Sequence, residues 1–323
     1  MTELGRLEKV DLRYVWQSEA LDFTPWLARE DNLDLLSDAL GIELELEGVE
    51  QNVGPFRADI LCKDTLSDRW VLIENQLERT DHTHLGQLIT YAAGLDAVTI
   101  VWIAARVAEE HRAAIDWLNE ITDTNVRFFA LEVELWRIGS SPAAPKFNMI
   151  SGPNDWSRTT SNAKKAIEDR TLTEPRQMLL DYWTAFGHAL STQSRRVRAV
   201  KPLAQNWITH GVGKSGVHIN GVLNRRESWV RGEIYLTGTT ASAYFELLQI
   251  DRHEIEAELG QPLVWYDGAA KDRRIYVQKH FPDVANPSSW PEQHLWLAET
   301  LDSLHRVFHD RVRKLDPSMI GPD

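Results

Sequence analysis

Acidic residues interrupt two apolar segments of the N-terminal half, and this pattern constrains the fold more than any other feature of the chain. The segments Phe56–Cys62 and Trp70–Leu77 have the length and apolar content of strands, and the polar residues 63–68 predict a turn between them. Asp59 lies within the first segment and Glu74 within the second. A buried carboxylate is costly unless a metal ion, a cation or several hydrogen-bond donors compensate for its charge. Two carboxylates on adjacent strands could together bind one hard cation.

A helix predicted after the second strand adds further polar side chains to this region. Asp81 is placed to cap its N-terminus. Gln87 and Tyr91 are four residues apart, so they lie on one face of the helix and could reach the strand ends. Gln76 shares a face with Glu74, because side chains of a strand repeat every two residues.

These residues, in the order Asp59, Glu74-x-Gln76 and Gln87-x-x-x-Tyr91, carry a family resemblance. The pattern resembles the PD-(D/E)xK restriction-endonuclease-like nucleases, and most closely the branches with a Q-x-x-x-Y motif, such as RecB-type nucleases. The resemblance implies that Asp59 and Glu74 are catalytic residues that bind Mg2+ or Mn2+, and that Gln87 and Tyr91 are an auxiliary pair. Gln76 would occupy the position of the family lysine. It departs from the pattern, because a neutral amide cannot supply the charge of a lysine.

The segment before the first strands predicts a helix that begins at Thr24, has Pro25 in its first turn and ends at Gly41. A short strand is predicted upstream, at Leu12–Trp16. Some relatives of this nuclease class take an additional acidic ligand from their first helix, and Glu30 is the candidate for an auxiliary residue of this kind. The alternative is that Glu30 belongs to a solvated helix face.

Further strands are predicted at Ile42–Val53, Ala97–Ala105 and Val126–Ile138, and a helix at Glu109–Ile121. The order helix, three strands, helix, strand, helix, strand predicts an α/β N-terminal domain, with a mixed central sheet flanked by helices. A restriction-endonuclease-like core has this order as well.

The length of 323 residues predicts two domains. Residues 139–160 are rich in Ser, Pro, Ala and Asn, which is typical of a linker, so we place the nuclease-like domain at 1–150 and a second domain at 160–323. The second half predicts an α+β fold. The whole chain resembles bacterial proteins that join such a nuclease-like part to a C-terminal DUF4268 domain.

The net charge of −13 is distributed unevenly. Residues 1–157 contain 13 basic and 28 acidic residues, whereas the remainder contains 22 basic and 20 acidic residues. A nucleic acid would therefore contact the second half more readily, since phosphates require Lys and Arg. Solvated surface charge is an equal alternative. The candidate nucleic-acid-binding residues are Arg195, Arg196, Arg198, Lys201, Arg225 and Arg226.

Several other classes of protein are disfavoured. No apolar run approaches the roughly 20 residues that span a bilayer, and the acidic N-terminus lacks a signal-peptide pattern, which together predict a cytoplasmic protein without a membrane partner. The single cysteine, Cys62, excludes an internal disulfide and indicates core packing. Apolar helices in both halves would serve either a hidden core or a homodimer interface.

The resemblance implies an enzyme, a metal-dependent nuclease that hydrolyses phosphodiester bonds, with DNA favoured over RNA and defence against foreign DNA as a biological setting. The alternative is a nuclease-like module that has lost hydrolysis and binds nucleic acid or protein. Gln76 and the net acidity favour this alternative. The carboxylates on core strands favour the enzyme.

Overall fold

A computed structural model describes residues 4–53, 56–94, 99–122, 125–153, 174–268 and 272–320. The chain divides into two compact units, Met1–Glu168 and Asp169–Asp323, and each is described by itself. Among the helices of the described ranges, none is both long enough and apolar enough to cross a bilayer.

The first unit contains a mixed sheet in the order β1-β6-β5-β4-β3-β2, with β7 also paired to β6. Strands β2, β3 and β4 form an antiparallel meander, whereas β5 pairs in parallel with both β4 and β6. This arrangement confirms the predicted α/β class. The strands are β1 (Leu7–Val10), β2 (Leu44–Val53), β3 (Phe56–Asp64), β4 (Arg69–Arg79), β5 (Thr99–Arg106), β6 (Arg127–Ile138) and β7 (Ala144–Ser151).

Helices supply the connections that parallel strands require. One helix leads from β4 to β5 and the next from β5 to β6, while the remaining helical segments precede β2. The segments are α1 (Leu12–Val15), a π-helical turn (Glu19–Phe23), α2 (Thr24–Leu27), α3 (Glu30–Leu40), α4 (His82–Gly94) and α5 (Glu109–Ile121).

The N-terminal segment differs from its prediction. Leu12–Trp16 is not a strand: residues Leu12–Val15 form α1, because the Asp11 side chain caps this turn by accepting from the Arg13 backbone N–H. The strand lies just upstream, where β1 pairs with the C-terminal end of β6.

The helix predicted from Thr24 to Gly41 is interrupted. Arg29 has an extended backbone and separates α2 from α3, and Gly41 ends α3 in the left-handed conformation, as predicted. Thr24 does not cap a new helix, since the chain is already helical at Phe23. The Thr24 hydroxyl instead donates to Asn75 Oδ1 at 3.1 Å.

Residues 139–160, predicted to be a linker, contain a strand. β7 pairs with β6 from Leu131 to Trp136, next to the bridge between Ala130 and Ser151. The Pro and Asn residues of the segment concealed this strand, because both residue types are uncommon in strands.

Apolar side chains cover both faces of the first sheet. The face toward α2 and α3 includes Phe23, Leu33 and Ile73, and the face toward α4 and α5 includes Leu88 and Trp102. Cys62 belongs to the first of these clusters, and burial raises the pKa of its thiol to about 12. The cysteine therefore packs in the core.

The second unit is α+β, as predicted. Its antiparallel sheet has the order β11-β12-β10-β9-β8, and its two longest helices pack against each other. Gly260 ends the second of two short helices in the left-handed conformation. The elements are α6 (Glu174–Gln193), β8 (Trp207–Gly211), β9 (Val217–Asn224), β10 (Trp229–Leu236), α7 (Ala241–Ile250), α8 (Arg252–Leu259), β11 (Val264–Asp267), β12 (Arg273–His280) and α9 (Trp290–Arg313).

Helix α9 approaches this sheet closely, and Gly232 in β10 makes the approach possible. A Cβ at this position would lie 2.5 Å from Thr300 Cγ2 and 3.2 Å from Leu301 Cδ2. We expect Gly232→Ala to destabilise the protein by about 1–3 kcal/mol, because α9 must shift to accept the methyl group. Chemical denaturation measures this change.

The matched control is Gly187→Ala within α6. Among the described residues, a Cβ at Gly187 would come within 4 Å of Ala199 Cβ alone, at 3.9 Å. We expect this substitution to stabilise the protein by about 0.5–1 kcal/mol, since Ala favours a helix interior. Equal effects of the two substitutions would contradict the proposed packing of α9.

Candidate metal centre

The antiparallel pairing of β3 with β4 brings Asp59 and Glu74 together. The register pairs Ile60 with Ile73, so the next residue along each strand places Asp59 opposite Glu74. Opposite residues of an antiparallel pair point to the same face of the sheet. The two predicted metal ligands therefore lie side by side.

Asn75 orients Asp59. Asp59 Oδ2 accepts hydrogen bonds from the Asn75 backbone N–H at 2.9 Å and from Asn75 Nδ2 at 3.0 Å. Thr24 in turn donates to Asn75 Oδ1, which connects this arrangement to α2. One oxygen of Asp59 is therefore held in place by the neighbouring strand.

Glu74 is buried, with 4% of its surface exposed. Its carboxyl group is hydrogen-bonded by the Tyr91 hydroxyl and by the Asp59 backbone N–H. The Tyr91 hydroxyl also lies 3.0 Å from the backbone oxygen of Arg57, to which it can donate. Glu74 Oε1 has no hydrogen-bond partner within the described part of the chain. Such an oxygen requires a physical explanation, because buried polar atoms are normally satisfied.

The pKa values of both carboxyl groups are raised. The pKa of Glu74 rises to about 8, chiefly because of burial and then because of repulsion from Asp59. The pKa of Asp59 rises to about 6, again chiefly because of burial, although the Asn75 backbone hydrogen bond opposes the increase. In the absence of a cation, Glu74 therefore retains its proton at pH 7.

A further carboxylate, Glu19, acts on the pair from the π-helical turn. Its charge raises the pKa of both Asp59 and Glu74, and its Oε2 accepts a hydrogen bond from the Leu77 backbone N–H at 2.8 Å. No periodic pattern in the sequence marks this residue. Glu30, the residue chosen from the first predicted helix, is the exposed first residue of α3, and its auxiliary role stays a prediction.

Gln76, in the position of the family lysine, is bonded at both ends of its amide. Gln76 Nε2 donates to the Arg79 backbone oxygen at 2.9 Å and lies 3.4 Å from Asp81 Oδ2, and Gln76 Oε1 accepts from Trp102 Nε1 at 2.9 Å. These bonds connect β4 to β5 and to the start of α4. The orientation of the amide is therefore fixed by the protein.

The start of α4 presents His84 to the site. Asp81 caps the helix by accepting from the His84 backbone N–H at 2.9 Å, as predicted, and its other oxygen lies 2.8 Å from His84 Nδ1. The charge of His84 lowers the pKa of Asp59. Gln87 is half-buried one turn before Tyr91 on α4, and its auxiliary role stays a prediction.

The predicted nucleic-acid-binding residues are all exposed and all belong to the second unit. Four of them lie between α6 and β8, where Arg196 forms an ion pair with Asp302 at 3.2 Å. Arg225 and Arg226 form part of the turn between β9 and β10. The residues are Arg195, Arg196, Arg198, Lys201, Arg225 and Arg226.

Comparisons with solved structures give similarities of limited extent. A repair endonuclease from Pyrococcus abyssi is 17% identical, with a TM-score of 0.28 over 36% of this chain and 47% of that chain. SfsA from Pyrococcus furiosus in complex with Ca2+ is 17% identical, with a TM-score of 0.24 over 39% of this chain and 59% of that chain. EndoMS in a complex with double-stranded DNA is 18% identical, with a TM-score of 0.22 over 25% of this chain and 38% of that chain. The chain thus spans less than two thirds of each of these proteins.

Comparison with family models identifies the second unit. No curated protein matches the sequence. Residues 178–312 match the model described as a domain of unknown function, DUF4268. The chain therefore carries a DUF4268 domain, which follows the α/β unit in the sequence. The α/β unit has the order of strands and helices that the resemblance to restriction-endonuclease-like nucleases implies.

Proposed function

We propose that the first unit is a metal-dependent nuclease that hydrolyses DNA in preference to RNA. The observation that carries this proposal is the pair formed by Asp59, which is half-buried, and Glu74, which is buried, two carboxyl groups opposite each other on adjacent core strands. Such a pair does not stabilise the fold by itself, because burying unpaired charge costs free energy. A bound cation would compensate for the charge.

The donor set fits a hard divalent ion. Asp59 and Glu74 offer carboxylate oxygens, which Mg2+ and Mn2+ prefer, and Glu74 Oε1 lacks any partner in the described residues. We propose that these two residues hold the ion and that Glu19 adds negative charge nearby. When bound, the ion would act as a Lewis acid toward the phosphate and would lower the pKa of water.

The remaining residues would prepare the site. Asn75 orients Asp59, and Tyr91 orients Glu74, so little rearrangement is required when the charge is compensated. Asp81 Oδ2 lies 2.8 Å from His84 Nδ1 and so orients the ring, with Nε2 on its other side. We propose that His84 Nε2 exchanges a proton with the attacking water or with the leaving oxygen.

Gln76 would act through other residues. Its amide is already bonded to Arg79, Asp81 and Trp102, so we propose that it positions the start of α4, and with it His84. It would not supply the charge of the family lysine. This same observation favours the second candidate function, a nuclease-like module that binds nucleic acid or protein without hydrolysis.

Cleavage assays separate the two functions. Labelled single-stranded DNA, double-stranded DNA and RNA of one sequence are incubated with the full chain in Mg2+, in Mn2+ and in EDTA. The nuclease predicts cleavage that requires the metal and is lost in Asp59→Asn. Binding of a strand without cleavage under any of these conditions would instead support the inactive module.

His84→Asn is expected to decrease the cleavage rate about 100-fold while leaving metal affinity within about twofold, because a positioned proton-transfer group contributes roughly 10²–10⁴-fold. Single-turnover cleavage and metal titration on the same preparation measure the two effects. His253→Asn, at an exposed position of α8, is the matched control and should retain full activity. Unchanged cleavage by His84→Asn would exclude the proposed role of this histidine.

A further inference from the structure

The second unit contains a cavity of about 660 Å³ on one face of its sheet. Gly221 and Gly232 face α9, and the cavity residues alternate with them along β9 and β10, so the cavity lies on the opposite face. Its lining comes from β8, β9, β10 and β12, together with Thr237 just after β10. Aromatic side chains form part of the wall, namely Trp207, Trp229 and Tyr235.

Polar side chains that are almost fully buried form the floor. Asn220 and Glu233 are opposite residues of β9 and β10, and they are 6% and 4% exposed. Asn220 Nδ2 donates to Glu233 Oε1 at 3.2 Å, whereas Asn220 Oδ1 has no hydrogen-bond partner among the residues that the structure describes. The floor therefore offers a buried acceptor that the protein itself does not use.

Arg231 gives this floor a fixed shape. Its guanidinium carbon lies 4.3 Å from the ring centre of Trp229 and 3.8 Å from that of Tyr276. One of its terminal nitrogens lies 3.5 Å from Glu233 Oε2, and the other donates to Gln278 Oε1 at 2.8 Å. The cavity is thus held in place before any ligand binds.

The chemistry of the cavity matches that of a nucleobase. Aromatic walls stack with flat rings, and buried polar groups hydrogen-bond to the edge of a base, as in proteins that bind single strands or extruded bases. The volume lies within the range of ligand pockets. The turn between β9 and β10 carries Arg225 and Arg226 at the end of the sheet where Trp207 pairs with Val222, and it could contact phosphate groups.

We infer that this cavity of the DUF4268 domain binds a single unstacked nucleobase, with Trp207 as a stacking surface and Asn220 as a hydrogen-bond acceptor. The inference does not depend on cleavage by the first unit. The base could belong to a single strand, to an unpaired position within a duplex or to a free nucleotide, and the probes below distinguish these sources.

The test measures the affinity of the full chain in EDTA, where metal-dependent cleavage cannot interfere. The probes are a fluorescein-labelled 12-nucleotide DNA strand, an abasic strand of equal length, the fully paired duplex, a duplex with one unpaired nucleotide, and a mononucleotide. We expect the 12-nucleotide strand and the duplex with an unpaired nucleotide to bind at least 10-fold more tightly than the abasic strand and the paired duplex. Binding of the mononucleotide alone would assign the cavity to free nucleotides.

Trp207→Ala should weaken binding of the base-containing strand at least fivefold, since stacking contributes roughly 1–3 kcal/mol per base. The substitution is mild for the fold, because 46% of Trp207 is exposed. Trp117→Ala, at an exposed tryptophan of α5, is the matched control and should bind like the wild type. Thr209→Tyr, which fills the cavity from β8, should also prevent binding.

Equal affinity for the base-containing and abasic strands would overturn the inference. So would wild-type affinity in both Trp207→Ala and Thr209→Tyr, or an equal loss in Trp207→Ala and Trp117→Ala. None of these outcomes bears on cleavage by the first unit, so failure of this inference is distinguishable from failure of the proposed nuclease.

Discussion

Glu74→Gln is expected to make the metal-free protein more stable and at the same time inactive. The substitution removes a buried carboxyl group that repels Asp59 and replaces it with a neutral side chain of the same shape. The new amide keeps a hydrogen-bonding group beside the Tyr91 hydroxyl and the Asp59 backbone N–H. Stability increases because, above about pH 4.5, the folded wild type must either keep a proton on Glu74 or bury its charge, and the amide requires neither.

The gain in stability depends on pH in a defined direction. The native pKa of Glu74 is about 8, above its usual value of 4.5, so between these values the native state keeps a proton that the unfolded state has lost. Wild-type stability therefore decreases as pH rises from about 4.5 through 8. Glu74→Gln lacks this decrease. We expect the variant to be more stable by about 2–4 kcal/mol at pH 8.5 and nearly equal to the wild type at pH 4.5.

Thermal unfolding in EDTA at the two pH values measures the effect, which corresponds to an increase of about 5–10 °C in Tm at pH 8.5. Glu78→Gln is the matched control, because Glu78 lies on the same strand and its side chain is 72% exposed. It should change stability by no more than about 0.5 kcal/mol. A less stable Glu74→Gln protein at pH 8.5 would show that the carboxyl pair is not under electrostatic strain.

Asp59→Asn is expected to abolish metal-dependent cleavage, by about 1,000-fold or more, without unfolding the protein. The new Oδ1 can still accept from the Asn75 backbone N–H and from Asn75 Nδ2, so the local fold is retained. The charge that would hold the ion is lost. Circular dichroism and cleavage of the preferred substrate measure both properties on one sample.

The double variant of Asp59→Asn and Glu74→Gln sharpens this prediction. If both carboxylates hold one ion, removing the second has little further effect, because residues that act as a unit are strongly non-additive. We expect the double variant to be within about 10-fold of either single variant. Independent losses that multiply to roughly a million-fold would contradict a shared ion.

The part of the site that was predicted from the sequence is the part carried by strand periodicity and helical spacing. Asp59 and Glu74 interrupt apolar strands, and a short turn requires those strands to pair. Tyr91 follows from its spacing on a capped helix, and it does contact Glu74. These inferences need only local geometry.

The remaining residues were not predictable in this way, because tertiary contacts bring them to the site. Glu19 reaches the strands from a π-helical turn in a segment without apolar periodicity. Asn75 lies between two residues of the motif and has no sequence signal of its own, although it holds Asp59. Trp102 bonds to Gln76 from a parallel strand 26 residues away.

The cavity of the second unit illustrates the same limit. Its polar lining includes Asn220, Glu233 and Arg274, which lie on three different strands. In the sequence, each of them has the pattern of an ordinary polar residue on the solvent-exposed face of a strand. Only the strand order β12-β10-β9-β8 places them together.

Calorimetric titration of Mn2+ into the wild type at pH 7, in two buffers with different enthalpies of ionisation, tests the central claim most directly. The carboxyl pair predicts that binding displaces close to one proton per ion, because Glu74 is protonated at this pH until a cation binds. Asp59→Asn should bind no ion at the same concentrations. Absence of Mn2+ uptake by the wild type, or uptake of the ion without release of a proton, would contradict a metal centre at Asp59 and Glu74.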